Sequence, residues 1–281
     1  SVDGNDSTVT PHRDVYSFSA VGKGVWTDIS LNGTATPRAA YGAASSPGGA
    51  VDYLVGGRLG TQDLREVDVL TPLRGFAEQS AAVLSSARHD PAVAYLNGYL
   101  YAIGGTGAGQ ALYSVERVQI GSDMNPLGDF TTMNNTLNAV TGATAAVVNN
   151  QIWLFGGGFK AIETYDATKD AWSFLTDANG TVIGTPEGWR NSLMIPADGR
   201  YYFFGGTLQD GQAETEIWEF NPTSFAWRDL GPLPTFKDVP DNQRAETRFS
   251  GFFDDDHFYL VGGVSVPEGT VSTKVFRADL L

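Results

Sequence analysis

The stretch "YLYAIGG", residues 99–105, reads as a short strand stopped by two glycines: five apolar or aromatic residues, then a backbone able to turn. Four close copies occur elsewhere: "VDYLVGG" (51–57), "QIWLFGG" (151–157), "RYYFFGG" (200–206) and "HFYLVGG" (257–263). Paired glycines at a strand end permit positive φ and close approach of neighbouring backbone. The pairs recur at roughly 50-residue intervals, the scale of a repeat built from several strands.

Other features keep step with the pairs. Before each lies a second apolar segment: "RAAYGAA" (38–44), "RHDPAVAYL" (88–96), "TGATAAVV" (141–148), "RNSLMI" (190–195) and "RFSGFF" (248–253). Small residues dominate the first three, as strands crowding a narrow axis require. After each comes an alternating strand: "LREVDVL", "LYSVERVQI", "AIETYD", "EIWEFN" and "KVFRADL". A further strand opens on an aromatic: Trp26, Phe76, Phe130, Trp172 or Trp227. Each period therefore holds four strands.

A unit of this length and strand count is a β-propeller blade, and the sequence resembles the kelch repeat. The likeness rests on the hydrophobic run into Gly-Gly and on the spaced aromatics of "YDATKDAW" and "FNPTSFAW". It covers residues 14–281, leaving 1–13 as an N-terminal extension. Phenylalanine replaces two of the tryptophans, and the third blade opens on Thr141 where the family has arginine. The expected fold is all-β, with blades stacked face to face around an axis. Five closed blades are expected, with six as the alternative. The N-terminal "DVYSF" and "VWTDI" look like the last two strands of a blade, and "TKVFRADLL" like a third strand. Closure is expected by "VWTDI" supplying the outer strand of the C-terminal blade. "DVYSF" is then spare and could pair with another subunit.

Composition narrows the function classes. The chain has 281 residues, 42% apolar and 18% charged, enough to bury a core without staples. Its net charge of −14 opposes nucleic acid and anionic membranes, and no apolar run is long enough to span a bilayer. Cysteine is absent, which excludes disulfides, thiolate catalysis and the cysteine-modified tyrosine that galactose oxidase-type propellers need. No catalytic, cofactor or metal motif emerges. The "DDDH" turn (254–257) is read as a solvated acidic turn, because contiguous side chains cannot converge on one ion.

One constellation stands out. Arg38, Arg88, Arg190 and Arg248 open four of the five inner strands and are expected at equivalent places around one mouth. There they either brace the blades or grip a protein, acidic or carbohydrate ligand. In kelch domains that capture acidic peptides, arginines in this region contribute to the grip, and the resemblance implies the same here. Sequons at Asn5, Asn32, Asn134 and Asn179 favour an extracellular or cell-surface glycoprotein, and a first residue that is not methionine is read as a processed product or a fragment. The expected function is a non-catalytic binding or structural scaffold, a subunit of a surface assembly being one form of it. The alternative is a carbohydrate-active enzyme (epimerase, lyase or hydrolase) at one mouth, using Glu187, Asp210 or Glu246.

Overall fold

The computed structural model describes residues 16–19, 25–28, 32–33, 37–71, 76–233, 245–247, 250–254, 256–261, 264–266 and 275–279. Their regular structure is all strand, and the five largest sheets follow one another along the chain as the blades of a propeller. Blade 1 comprises Gly42–Ser45, Asp52–Val55, Glu66–Thr71 and Phe76–Val83, with Asn32–Gly33 added parallel to its outer edge. Blade 2 comprises Ala92–Leu96, Tyr99–Ile103, Val115–Gln119 and Thr131–Met133. Blade 3 comprises Ala143–Val148, Gln151–Gly156, Glu163–Asp166 and Ala171–Phe174. Blade 4 comprises Leu193–Ala197, Arg200–Phe204, Glu216–Phe220 and Trp227–Pro232. Blade 5 shows Ser250–Asp254, His257–Val261 and Val275–Asp279 among the described residues.

The core lies between blades, which explains why the second strand of each repeat is apolar on both faces. Within Tyr99–Ile103, Leu100 and Ala102 pack toward blade 1 with Tyr53, Val67 and Leu84. Tyr101 and Ile103 point the other way, toward Ile152, Leu154 and Tyr165 of blade 3. The same alternation builds an aromatic layer between blades 3 and 4 (Trp153, Phe155, Trp189, Phe203, Phe220) and a fourth layer between blades 4 and 5. Of the repeat-locked aromatics, Phe130, Trp172 and Trp227 lie in or against these layers. The Trp26 and Phe76 side chains lie outside the described residues.

Each blade has two ends of different character. At one end the first two strands are joined by tight turns such as Asn97-Gly98, Asn149-Asn150 and Asp198-Gly199, with positive φ at both residues as type I′ hairpins demand. This is the turn face. The other end carries the glycine pairs and the segments passing from blade to blade, and is called the joint face.

The expected closure differs from what is seen. Among the described residues, Val25–Asp28 pairs antiparallel with Tyr16–Ser19, Phe18 opposite Trp26, and not with Val275–Asp279. The two segments do pair like the last two strands of a blade. The short connection between them makes local pairing cheap in loop-closure entropy.

Candidate functional site

At the joint face the glycine pairs hold the blades together. The second glycine of blade 1, Gly57, donates its N–H to the carbonyl of Arg88 at 2.8 Å, and Gly105 of blade 2 donates to Val140 at 2.9 Å. In blade 3, whose run is Gly156-Gly157-Gly158, Gly158 donates to Trp189 at 3.3 Å. The first glycine lies flat against the same carbonyl. A Cβ on Gly104, at φ +59°, would stand 2.5 Å from the Val140 oxygen, and one on Gly56 would stand 2.5 Å from that of Arg88. The pairs are therefore joints between blades as well as turns within them.

These bonds identify the residue at the joint of each blade: Arg88, Val140 and Trp189 in blades 2, 3 and 4. Bridges one residue later give the same register, since Ala39 faces Arg58, His89 faces Thr106 and Arg190 faces Thr207. Arg38 thus takes the joint position in blade 1. In blade 5 Thr247 pairs with Val264, which puts Glu246 there. The expected equivalence of four arginines is corrected. Arg38 and Arg88 share the position, whereas Arg190 sits one residue past it. Arg248 lies outside the described residues, two places beyond Glu246 in the chain. Spacing to the glycine pair misses such slips, because the connecting segments differ in length.

Arg38 and Arg88 are buried and bonded inside their own blades. Arg38 Nη1 donates to the carbonyls of Gly56 and Glu66 at 2.8 and 2.7 Å, and Nη2 lies 2.8 Å from Asp68 Oδ1. Arg88 Nη1 donates to Gly104 and Ser114 at 2.9 and 3.0 Å, and Nη2 pairs with Glu116. Burial lowers both arginine pKa values, and the paired carboxylates oppose that shift. The acids occupy matching places in the third strands, opposite Leu54 and Ala102. Blade 3 keeps the acid without the arginine: Glu163, opposite Leu154, is 2% exposed and accepts N–H bonds from Leu137, Asn138 and the Asn138 side chain. Burial raises its pKa against those three donors. In blade 4 both partners are replaced, since Trp189 is at the joint and Trp218 stands in the acid's place, opposite Phe203. Sequence reading missed these acids. Their signal was an acid directly after a β-branched apolar residue in the third strand of the repeat: Val67-Asp68, Val115-Glu116 and Ile162-Glu163.

Inside the ring of joints runs a second one. Asp90 N donates to Ala40 O at 2.6 Å, Gly142 N to Asp90 O at 2.9 Å, and Asn191 N to Gly142 O at 2.7 Å. All four residues have φ between +49° and +62°. A cavity of about 390 Å³ opens beside this ring, lined by inner-strand residues of all five blades, including Tyr41, Asp90, Thr144, Asn191 and Ser250. Small residues make room for it. Gly42 is packed so closely that a Cβ would stand 2.4 Å from the Pro91 carbonyl.

Around the cavity, the connections after the glycine pairs expose large apolar side chains in three successive blades: Leu59, Tyr113 and Phe159, at 41%, 50% and 37% exposure. Leu137 and Val182, in the blade-to-blade segments, are also exposed. Charges on this face are largely matched. Arg58 and His89 share Asp63 at 3.2 and 2.7 Å, and Lys160 meets Glu187 at 3.1 Å.

The remaining candidates are engaged locally. Asp210 caps its own turn by accepting from Gln212 N, and Glu187 faces Lys160. The side chain of Glu246 lies outside the described residues. His257 lies 3.1 Å from Asp279, Asp256 is exposed, and no metal-binding cluster occurs among the described residues. Among the sequons, Asn134 donates its side-chain amide to Asp170 O at 2.6 Å, and its Thr136 hydroxyl is buried against Tyr113 and Asn138 carbonyls. Asn179 is exposed in a turn held by Asp177. Asn5 and the Asn32 side chain lie outside the described residues.

Comparison with known proteins follows the same lines. The Kelch motif matches residues 87–121, the span of blade 2 from its arginine brace through its third strand. Kelch-like protein 35 of Mus musculus is 28% identical over 173 residues, covering 60% of this chain and 28% of that protein. Kelch domain-containing protein 3 of Homo sapiens is 25% identical over 263 residues, covering 82% of this chain and 65% of that protein. N-acetylneuraminate epimerase of Vibrio cholerae is 25% identical over 153 residues, 42% of this chain and 37% of that protein. The chain thus spans only 28% to 65% of the length of these relatives. Its five repeated sheets make the chain a five-bladed β-propeller, and its second blade carries the Kelch motif.

Proposed function

We propose that the chain is a non-catalytic protein-binding scaffold whose partner docks on the joint face. The observation that carries this reading is the run of exposed Leu59, Tyr113 and Phe159 on corresponding connections of three neighbouring blades, around an open central cavity. Exposed apolar clusters with a polar surround favour protein contacts. Connections on a rigid ring are free to vary without disturbing the core. The kelch relatives support a protein partner. An extracellular or cell-surface address, glycosylation at Asn179 and a place in a surface assembly belong to the same proposal. Intact mass of protein from its native source tests them.

The docking face is tested by photo-crosslinking in native extract. A photoreactive residue at Tyr113 should give a discrete adduct, and one at Leu127, exposed on the turn face, should give none. Adducts from position 127 alone would place the partner on the opposite face.

A further inference from the structure

The third strand of blade 5 is exposed where its counterparts are covered. In blades 1 to 4 a fourth strand pairs with the third, and Val67, Val115, Tyr165 and Phe220 of those third strands are fully buried. In Val275–Asp279 four of the five residues are exposed, Val275 at 37%, and no fourth strand pairs with it among the described residues. The chain also carries a strand that belongs to no blade. Val25–Asp28 pairs through one edge with Tyr16–Ser19, and among the described residues the two form a sheet of their own. A lone two-stranded hairpin is marginal in water and gains stability by joining a larger sheet.

The register of the other blades says how the two fit. Trp172 lies opposite Tyr165 and Trp227 opposite Phe220, with ring centroids 4.9 and 4.6 Å apart. Tyr165 and Phe220 in turn lie opposite Ile152 and Tyr201, each the second residue of its run into the glycine pair. In blade 5 that second residue is Phe258, which faces Ala278. Trp26 holds the place in Val25–Asp28 that Trp172 holds in Ala171–Phe174. It therefore belongs opposite Ala278, an exposed residue small enough to leave room for an indole. We propose that Val25–Asp28 of one chain adds antiparallel to Val275–Asp279 of a second copy, as the fourth strand of its blade 5, with Trp26 opposite Ala278. The occupant is a second copy because one chain holds both edges and, among the described residues, does not join them. Backbone bonding supplies the affinity and the indole fixes the register. Donor and acceptor are different surfaces, so the contact is head-to-tail and builds a ring or an open row of copies. The proposal does not depend on what docks at the joint face.

The test exploits the absence of cysteine, which lets introduced thiols report the contact without background. In the proposed register Thr27 faces Arg277. Whole chains carrying Thr27→Cys and Arg277→Cys, mixed and air-oxidised, should give a disulfide-linked heterodimer, and the double variant a ladder of covalent oligomers. Thr27→Cys mixed with Ser173→Cys, on the outer strand of blade 3, should give at least tenfold less product. Light scattering of the parent should show multiples of the chain mass that grow with concentration, and Trp26→Ala should weaken that association at least tenfold. A double variant that yields only internally linked monomer places the closure within one chain and overturns the proposal. Equal linking to Ser173, or a parent that stays monomeric at every concentration, overturns it as well.

Discussion

Blades 2 and 4 close the same joint with opposite chemistry. In blade 2 the joint residue is Arg88, fully buried, bonded to two backbone carbonyls and paired with Glu116. In blade 4 it is Trp189, 1% exposed, with ring centroids 5.5 Å from Phe203 and 5.8 Å from Trp227. Both offer the same backbone carbonyl to a glycine N–H of the preceding blade. The difference teaches that the propeller needs that backbone bond and a filled space behind it. A buried ion pair and an aromatic stack fill the space equally well, since well-packed apolar groups commonly replace buried ion pairs without loss.

Exchanging the two solutions should have the largest effect. Trp189→Arg places a guanidinium opposite Trp218 with no acid to meet it, and should cost more than about 4 kcal/mol in denaturant unfolding. Adding Trp218→Glu should recover part of that loss; failure to recover any would mean the blades are not interchangeable at this position. Next comes Gly104→Val, which drives a side chain into the Val140 carbonyl from a left-handed backbone. It should cost at least ~3 kcal/mol whatever fills the joint behind it.

Blade 3 sharpens the comparison because it keeps the acid and lacks the arginine. The folded pKa of Glu163 lies above its ordinary value of 4.5, so the folded chain binds that proton more tightly than the unfolded chain. Its contribution to stability is full below about 4.5 and is lost as pH rises through the folded pKa. Melting temperatures measured across that window should fall more steeply with pH for the parent than for Glu163→Gln. Equal slopes would mean the carboxyl is not the titrating group. The smallest effect is expected at Lys160→Gln. That pair is half-exposed, and its loss should change stability by no more than about 0.5 kcal/mol.

The blade architecture was legible because it is written in local patterns: two-sided apolar strands, alternating strands and glycine pairs at a steady interval. The joints were not, because they depend on register between distant segments. Arg190 looked equivalent to Arg88 until the bridge to Thr207 showed the one-residue offset. Val140 and Trp189 carry no arginine to draw attention, although each sits at a joint. Glu116 lies 28 residues from the arginine it meets, and nothing in their spacing announces the pair. Chain closure was misjudged for a related reason. Strand pattern shows that Val25–Asp28 will pair, but not with which neighbour.

The claim that the joint arginine is a brace is tested most directly by a double-mutant cycle on Arg88 and Glu116, read by denaturant unfolding. Arg88→Met alone should cost about 3–5 kcal/mol, because it leaves a buried carboxylate unpaired. Arg88→Met with Glu116→Leu should lose much less than the sum of the single changes, a coupling of at least ~1.5 kcal/mol. Single variants that unfold like the parent, or losses that simply add, would contradict the brace and return Arg88 to the candidates for ligand contact.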